Sequence, residues 1–344
     1  MAVLVTGGAG YIGSHMVWAL LDAGEEVIVV DRLSTGFRWA VAPAARFYLG
    51  DVGDQDLLEQ IFAENTITAI IHFAGSVVVP DSVRKPLSYY ENNTGKTRTL
   101  MAAALEAGIR TMIFSSTAAV YGANGIERPI CETDPVVPQT PYGMSKLMSE
   151  MMLQDAAIAH DLRYVALRYF NVAGADPEMR TGQSTQNASH LIKAAVETAM
   201  GKRKRMDVYG TDYPTPDGTG VRDFIHVTDL VQAHIAALAY LRAGGDAMVA
   251  NCGYGSGYSV LEVLNAVMEE SGRRFEVNYM PRRNGDMASV IADPTLLRTR
   301  LAWKPRHTSI NEIVRTALIW ENSLTHRSAF SVTGMQQRLA AARF

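Results

Sequence analysis

The sequence has few of the features that mark secreted, metal-binding or membrane-spanning proteins. It contains two cysteines, Cys131 and Cys252, which are too few for a disulfide framework and too isolated for a zinc site. Its eight histidines do not cluster at metal-ligand spacing. No apolar run approaches the roughly 18 residues of a membrane-spanning helix, and no signal-peptide pattern precedes the first strand-like run. We therefore expect a soluble, cytoplasmic protein with reduced thiols and no metal.

Charge of one sign is not in excess either. The 344 residues include 32 basic and 35 acidic side chains, for a net charge of -3, which gives no electrostatic basis for binding nucleic acid or an anionic membrane. The one basic run, KRKR at 202–205, is expected to be a solvated loop. Hydrophobic residues make up 48% of the chain, which is typical of a globular protein with one large or two moderate domains.

The first half of the chain alternates short apolar runs with longer helical patterns. Strands are predicted at Ala2–Thr6, Val27–Asp31, Ala69–Ala74, Thr111–Ser116 and Arg163–Tyr169. Helices are predicted at Tyr11–Ala23, Asp54–Glu64, Pro86–Ala107 and Pro141–Ala159. Strands that are apolar on both faces and separated by helices indicate a parallel sheet covered on both sides. Right-handed crossovers then predict an α/β fold with a doubly wound, Rossmann-like parallel sheet.

The first strand-to-helix turn, "VLVTGGAGYIGSH", is rich in glycine. Gly7, Gly8, Gly10 and Gly13 satisfy both the G-x-G-x-x-G and the G-x-x-G-x-x-G spacing, which by itself is a weak signal. Here a strand precedes the glycines and a helix follows, so that free N–H groups and the positive end of the helix dipole can hold a pyrophosphate. The turn therefore predicts a dinucleotide site, with a plain helix-capping turn as the alternative.

A carboxylate at the end of the second strand indicates which dinucleotide is bound. Asp31 lies 18 residues beyond Gly13, where it can accept hydrogen bonds from the adenosine ribose and repel the 2′-phosphate of NADP. NAD is therefore predicted, although Arg32 next to it is a cation that would suit NADP. Asp51 follows a third strand and is either a contact to the adenine amino group or a plain loop acid. We interpret His72 as a hydrogen-bonded strand histidine.

The stretch "TPYGMSK" predicts the start of a helix that carries a general base. Thr140 is a natural N-cap, and Tyr142 and Lys146 are four residues apart on one helical face. A phenol titrates near ~10 in water, and a nearby ammonium, or a cationic nicotinamide ring, favours its phenolate. Tyr142 is therefore predicted to act as a base near neutrality. The hydroxyls of Ser115–Thr117, at the end of the fifth strand, are available to share the proton.

With these features on one chain, the sequence resembles the UDP-galactose/UDP-glucose 4-epimerases of the extended short-chain dehydrogenase/reductase superfamily. The resemblance covers roughly residues 1–322. Besides "TGGAGYIGSH" and "TPYGMSK", the stretches that carry it are "IIHFAG", "YYENN", "FSSTAAVYG", "LRYFNVAGA", "DGTGVRDFIHVTDL" and "PRRNGD". Several of these are typical of the sugar-nucleotide branch.

The resemblance implies an NAD-dependent isomerase that inverts C4 of a UDP-sugar in galactose metabolism. Tyr142 would take the proton from the 4-hydroxyl while C4 is oxidised, Lys146 would bind the nicotinamide ribose and lower the pKa of the tyrosine, and Thr117 would hydrogen-bond the 4-oxygen. The implied NAD contacts are Gly7, Gly10, Tyr11, Ile12, Gly13, Asp31, Asp51, Val52, Phe73, Ala74, Gly75, Asn92, Tyr142, Lys146 and Phe170. The implied UDP-sugar contacts are Thr117, Tyr142, Asn171, His190, Leu191, Tyr209, Arg222, Arg283 and Asp286.

For Arg222, the alternative to a contact with the UDP-sugar is a simple surface ion pair.

Four positions depart from the pattern of the family. Thr117 stands where serine is common, and it keeps the hydroxyl. Val77 stands where some members have a lysine near the cofactor. His190 stands where asparagine is common, which leaves its contact to the substrate open. Val290 stands where some members have a bulky tyrosine against the sugar, and this predicts tolerance for N-acetylated sugar nucleotides.

The same fold and catalytic pair also occur with different chemistry. Sugar-nucleotide 4,6-dehydratases share the tyrosine and lysine but supply acidic residues just after the strand-end threonine, and this chain has Ala118 and Ala119 there. Decarboxylating relatives carry a glutamate in the same segment. The sequence leaves open a 4-epimerase of UDP-N-acetylhexosamine, UDP-xylose or UDP-glucuronate, a dehydrogenase that releases NADH, and a catalytically silent NAD-binding scaffold. A sugar-nucleotide dehydratase is a further alternative, which Ala118 and Ala119 disfavour.

The domain organisation is predicted from the change in composition along the chain. Residues 1–170 are predicted to form an NAD-binding Rossmann domain, 171–322 a smaller α/β UDP-sugar-binding domain, and 323–344 a tail with a terminal helix. The helical pattern Val227–Leu241 can pack back on the first domain, so an interleaved boundary is expected. Helices Pro86–Ala107 and Pro141–Ala159 are apolar on more than one face. The corresponding pair forms a dimer interface in the family, which implies a homodimer; a core-only role is the alternative.

Overall fold

A parallel β-sheet forms the centre of the molecule. The computed structural model describes residues 1–122, 128–185, 188–283 and 285–324. Its strands are β1 (Ala2–Thr6), β2 (Glu26–Asp31), β3 (Arg46–Leu49), β4 (Ile67–His72), β5 (Thr111–Thr117), β6 (Arg163–Tyr169), β7 (Asn171–Ala173), β8 (Met206–Tyr209), β9 (Val221–Arg222), β10 (Phe224–His226), β11 (Met248–Cys252), β12 (Tyr258–Ser259), β13 (Val277–Met280) and β14 (Ser289–Val290). Seven of them form one sheet in the order β11-β6-β5-β4-β1-β2-β3, paired in parallel throughout. The predicted doubly wound sheet is confirmed.

Helices cover both faces of this sheet because alternate strand residues are apolar on opposite faces. The helices are α1 (Tyr11–Asp22), α2 (Gln55–Glu64), α3 (Val79–Arg84), α4 (Pro86–Tyr89), α5 (Lys96–Glu106), α6 (Pro141–His160), α7 (Leu191–Ala199), α8 (Val227–Arg242), α9 (Val260–Ser271) and α10 (Thr295–Arg300). On one face Val3 and Val5 share a buried core with Leu20 of α1 and with α8. On the other face Leu4 shares a core with Leu58 of α2 and with α5 and α6.

The second half of the chain contributes to the large sheet and also builds smaller ones. Strand β11 pairs with β6 at the edge of the large sheet, and α8 packs against α1. Three further sheets are formed by β7 with β10, by β12, β9 and β14, and by β8 with β13. The domain boundaries near residues 170 and 322 stay a prediction.

The predicted helix over Pro86–Ala107 is confirmed to Glu106, but it is not a uniform α-helix. The chain forms α4, then a π-helical stretch over Tyr90–Gly95, and then α5, which ends at Glu106. The wider π-helical turn lets the Asn93 side chain bond outside the helix, where its Nδ2 donates to Ser76 O and Ser145 Oγ, each at 3.0 Å. Such π-helical segments are frequent at functional sites.

Strands β1 and β6 have the predicted bounds, and the other predicted elements differ at one end or both by one or a few residues. Strand β4 begins at Ile67 and ends at His72, two residues before the predicted end at Ala74. Helix α6 begins at Pro141, as predicted, and ends at His160. A further helical segment begins at residue 310, and residues 323–324 of the predicted tail continue it. Residues 325–344 lie outside the described residues. Within the described ranges, no helix has the length and apolar character needed to cross a membrane.

Candidate active site

The glycine-rich turn between β1 and α1 brings backbone atoms into close contact. A Cβ on Gly7, which has a φ of +70°, would lie 2.7 Å from the backbone nitrogen of Ala74 beyond β4, and a Cβ on Gly13 would collide with the Gly7 carbonyl oxygen. Gly10 is the N-cap of α1, and no side chain caps this helix. The N–H groups of the first turn therefore face the concave side of the turn without a side-chain acceptor, an arrangement that fits a pyrophosphate.

Asp31 lies beside this turn, as predicted from its place at the end of β2. Its Oδ2 accepts a hydrogen bond from Ala9 N at 3.0 Å, and its Oδ1 accepts one from Leu33 N at 2.7 Å. A carboxylate has about four lone-pair sites, so roughly two remain for the hydroxyls of a ribose. The carboxylate thus both fixes the turn and carries the charge that disfavours a 2′-phosphate.

Asp51 is held by two cations. Its Oδ2 is 2.9 Å from Arg32 Nη1 and 2.5 Å from Lys96 Nζ, and its Oδ1 accepts from Gly53 N at 2.9 Å. Burial raises the pKa of Asp51, but these hydrogen bonds outweigh it, and the pKa is lowered. The Arg32 guanidinium is therefore directed at Asp51, whose one negative charge it shares with Lys96.

The end of β4 lies between the turn and α6, the candidate catalytic helix, which carries Tyr142 and Lys146. Ser76 N donates to Asn93 Oδ1 at 2.7 Å, and Asn92 Nδ2 donates to Ser76 Oγ at 2.9 Å. A Cβ on Gly75 would lie 3.1 Å from Asn93 Oδ1 and 3.7 Å from Lys146 Nζ. The π-helical stretch therefore holds the segment after β4 against the catalytic helix, which was not predicted from the sequence.

The remaining cofactor candidates line the same edge of the sheet or the core beneath it. The Tyr11 hydroxyl donates to Gly174 O at 2.7 Å, and the Phe73 ring lies 5.0 Å from that of His234. Ile12 packs against the core, and Val52 and Phe170 are buried. His72 is bonded to Thr6 at 2.6 Å and to Thr97 at 2.8 Å, which confirms its interpretation as a strand histidine.

The catalytic helix α6 begins where the sequence places it. Thr140 is its N-cap and accepts a hydrogen bond from Gly143 N at 3.3 Å. Lys146 is 3% exposed; its Nζ donates to Ser115 O at 2.7 Å and lies 4.8 Å from the centre of the Phe114 ring. The Thr117 hydroxyl lies next to the Tyr142 phenol and favours a lower pKa of that phenol. Tyr142, Lys146 and Thr117 thus meet at the carboxyl end of β5.

Burial governs the protonation of both catalytic candidates. It raises the pKa of Tyr142, and the neighbouring Thr117 hydroxyl opposes the shift only in part. It lowers the pKa of Lys146 to about 8, while the Glu150 carboxylate opposes this shift. In the protein by itself burial leaves the pKa of Tyr142 raised, so the expected lowering of this pKa by Lys146 stays a prediction. A cationic nicotinamide ring is a further charge that would favour the phenolate.

Four of the predicted substrate residues form a second cluster. Arg283 lies 4.6 Å from the centre of the Tyr209 ring, and its Nε donates to Asp286 at 3.0 Å. Burial lowers the pKa of Arg222, and the Asp286 carboxylate opposes this shift. Two guanidinium groups with one carboxylate leave a net positive site, which suits a diphosphate.

Backbone pairing connects this cluster to the catalytic end of β5. Asn171 donates to the carbonyl oxygen of Asp223, the residue after Arg222, from its N at 2.9 Å and its Nδ2 at 3.3 Å. Val290 pairs with Arg222 in register and packs in one buried cluster with Phe170 and Ala118, which follows Thr117. Substrate candidates His190 and Leu191 lie at the start of α7, where His190 Nδ1 is 3.0 Å from Gln183 Nε2.

Two buried residues next to the site were not identified from the sequence. Glu150 of α6 is 4% exposed and Arg168 of β6 is 5% exposed, and they form an ion pair. The signal that could have found them was the spacing of Glu150, four residues after Lys146, which places its carboxylate on the same helical face.

The glycine-rich turn, the acid at the end of β2 and the tyrosine–lysine pair define an NAD-binding enzyme of the short-chain dehydrogenase/reductase class. A sequence model of the "NAD dependent epimerase/dehydratase family" matches residues 3–253. The UDP-glucose 4-epimerase of Azospirillum brasilense is 52% identical over 322 residues, which cover 94% of this chain and 92% of that protein. The chain belongs to the NAD-dependent epimerase/dehydratase family.

Solved structures agree with this assignment. The UDP-glucose 4-epimerase from Brucella ovis in complex with NAD is 42% identical, with a TM-score of 0.90 over 92% of this chain and 97% of that chain. The UDP-Glc/GlcNAc 4-epimerase from Campylobacter jejuni is 42% identical, with a TM-score of 0.83 over 94% of this chain and 99% of that chain.

Proposed function

We propose that this protein interconverts UDP-galactose and UDP-glucose by NAD-dependent inversion of C4. The observation that carries the proposal is the meeting of Tyr142, Lys146 and Thr117 at the end of β5, beside a turn that fits a dinucleotide. The relatives and the matched structures support the same reaction class. The residue Ala118 after Thr117 disfavours dehydration, because an alanine side chain cannot transfer a proton.

The proposed roles follow from the positions of the side chains. The first turn of α1 and Asp31 would hold the pyrophosphate and the adenosine ribose of NAD, and Lys146 would hold the nicotinamide ribose. Bound NAD supplies a reversible hydride acceptor. Tyr142 would remove the proton from the sugar 4-hydroxyl and return it to the same oxygen after the configuration at C4 has been inverted. Thr117 would hydrogen-bond this oxygen.

The proposed substrate site places the diphosphate against the cations of the second cluster. Arg222 and Arg283 would pair with the diphosphate, and Asp286 would keep Arg283 oriented through its 3.0 Å hydrogen bond. A sugar held only through its diphosphate can present either face to the same tyrosine, which inversion at C4 requires. Asn171, beside Arg222, would contribute a further polar contact.

A homodimer is part of the proposal. Helix α6 leaves Met151 57% exposed and Ile158 81% exposed, and Leu87 of α4 is 80% exposed. Apolar side chains of this size on neighbouring helices are typical of a surface that is covered by a second subunit. The cytoplasmic location expected from the sequence also stays a prediction.

The test is to incubate the purified protein with UDP-galactose, without added NAD, and to resolve the sugar nucleotides by NMR or chromatography. We expect UDP-glucose to form, since the retained cofactor is regenerated in each cycle. Tyr142→Phe should lower kcat by about 100- to 10,000-fold without changing the thermal unfolding transition. Tyr279→Phe, at a 58% exposed tyrosine, is the matched control. If no UDP-glucose forms even with NAD supplied, the proposed reaction is wrong.

A wider substrate range is the second candidate. Val290 lies in register with Arg222 and is 8% exposed, and in this proposal its small side chain would form part of the wall of the sugar site. The relative from Campylobacter jejuni carries GlcNAc in its name beside Glc. We therefore extend the proposal to N-acetylated UDP-sugars, which need more room at C2.

A further inference from the structure

Three side chains of α6 contact three consecutive residues of β5. Tyr142, Lys146 and Glu150 are spaced by four residues, so they lie in one row along the helix. Tyr142 contacts the Thr117 hydroxyl and Lys146 contacts the Ser115 carbonyl oxygen. The third contact joins the Ser116 hydroxyl to Glu150 Oε1. The proposed chemistry uses the first two contacts and leaves Glu150 without a role.

Glu150 is anchored from the neighbouring strand. Arg168 of β6 donates from Nε to Glu150 Oε1 at 3.0 Å and from Nη2 to Oε2 at 2.6 Å. Its Nη1 donates to Tyr121 Oη at 2.9 Å, and Tyr121 in turn donates to Asn251 Oδ1 at 2.7 Å. This bidentate geometry fixes the plane of the carboxylate as well as its position.

The anchor extends across three strands in register. Ser116 of β5 pairs with Arg168 of β6, which pairs with Asn251 of β11. The network therefore joins α6 to β5, β6 and the edge strand β11 at the level of Ser116, the residue before Thr117. Such a buried ion pair is weak as a source of stability, because desolvation of two charges offsets their attraction. Its geometry is better explained by a requirement that the Glu150 carboxylate be held in a fixed position.

We propose that Glu150, oriented by Arg168, is a positioning residue that holds Lys146 and Thr117 in place for proton transfer at Tyr142. This inference rests on the proposed function. Glu150 itself does not touch the reacting atoms. It acts through Ser116, which lies between the two contacted residues of β5, and through its charge on Lys146.

The electrostatic part of the inference concerns the groups that face Lys146. On its own helix these are Tyr142 and Glu150, and on β4 it is His72, whose pKa is lowered by burial and by Lys146. Asn93 of the π-helical stretch and Ser115 of β5 are neutral. Glu150 is the nearby anion that opposes the lowering of the Lys146 pKa. Without its charge, the lysine would lose its proton at a lower pH.

The test compares two variants with one control. Ser116→Ala removes only the hydroxyl contact. The double variant Glu150→Met with Arg168→Met replaces the whole ion pair by apolar side chains, which avoids leaving an unpaired buried charge. The control is Glu321→Gln, because Glu321 is buried like Glu150, at 2% exposed, and is paired with Lys193.

Three quantities are measured on the holoenzyme: kcat with UDP-galactose, its pH dependence, and the fraction of NAD retained after gel filtration. We expect the double variant to fold, to lose at least 10-fold in kcat, to show its high-pH decline at a lower pH, and to retain less NAD. Ser116→Ala should lower kcat about 3- to 10-fold, and Glu321→Gln should leave all three unchanged.

A folded double variant with the kcat, pH profile and NAD content of the wild type would overturn the inference. A wild-type protein that does not convert any UDP-sugar would instead contradict the proposed function. In that case NAD retention decides the inference on its own, because a displaced Lys146 loses its ribose contact; unchanged retention in the double variant would overturn it.

Discussion

The Lys146 ammonium donates a 2.7 Å hydrogen bond to the carbonyl oxygen of Ser115. This bond joins the catalytic helix to the strand whose last residue, Thr117, contacts Tyr142. It uses one of the three N–H donors of the ammonium, so two remain for a ribose. The same lysine can therefore hold α6 against β5 and bind the cofactor ribose at the same time.

Activity should fall as the pH rises through about 8. The pKa of Lys146 is lowered to about 8, mainly by burial, so the ammonium is protonated below this pH and is lost above it. Loss of the charge removes a ribose contact and the nearby cation. The measurement is kcat/KM for UDP-galactose between pH 6 and 10.

The matched variant for this pH effect is Lys146→Arg. A guanidinium keeps its proton over the whole range, so we expect lower activity overall but no decline near pH 8. A decline at the same pH in both proteins would assign the titration to another group.

Gly13→Ala should abolish NAD retention. The added Cβ collides with the Gly7 carbonyl oxygen, so the turn must shift, and overpacking of this kind costs about 1–3 kcal/mol. The measurements are the NAD content after gel filtration and the free energy of unfolding in urea. Gly95→Ala is the control, because its Cβ would lie 3.8 Å from the Tyr90 carbonyl oxygen, an ordinary contact, at a φ of -60°. Unchanged NAD content in Gly13→Ala would refute this account of the turn.

Asp31→Asn should weaken NAD binding and permit NADP. The substitution keeps the shape and one acceptor but removes the charge. A hydrogen bond to a charged group is worth about 1.5–3 kcal/mol, which corresponds to about 10- to 100-fold in NAD affinity. Calorimetric titration of the stripped protein with both dinucleotides measures the change. Asp56→Asn, at an exposed acid of α2, is the control; an unaltered ratio of the two affinities in Asp31→Asn would contradict the role of the carboxylate.

Val290→Tyr should narrow the substrate range. Under the proposed substrate site the larger ring would project beside Phe170 and Arg222, so we expect about 10- to 100-fold less activity with UDP-N-acetylglucosamine relative to UDP-galactose. Val290→Leu should give an intermediate ratio. Thermal unfolding of each variant separates loss of specificity from loss of the fold. If the wild-type protein does not accept UDP-N-acetylglucosamine, the proposed tolerance for N-acetylated UDP-sugars is wrong.

Features that depend on a few adjacent residues could be predicted from the sequence. The bounds of β1 and β6 follow from single apolar runs, and the start of α6 follows from the Thr140 cap and Pro141. The placement of Asp31 beside the glycine turn follows from the order of strand, turn and helix.

Features that depend on distant partners could not be predicted. The π-helical stretch is stabilised by Asn93 bonds to Ser76 and Ser145, and residue type alone does not reveal them. Strand β11 is recognisable only by its pairing with β6. The raised pKa of Tyr142 likewise depends on how much chain covers it, which motif spacing cannot show.

The pairing of β6 with β11 has a consequence for synthesis on the ribosome. Roughly 80 residues separate the end of β6 at Tyr169 from the start of β11 at Met248. At a synthesis rate of about 5–20 residues per second, about 4–16 s would pass between the synthesis of β6 and that of β11, the strand that pairs with it. During that interval the growing chain presents an apolar strand with unpaired backbone groups, which is a template for aggregation. Early protection of this edge, by a chaperone or by transient packing of the nascent chain, is therefore a requirement that the strand order imposes on biogenesis.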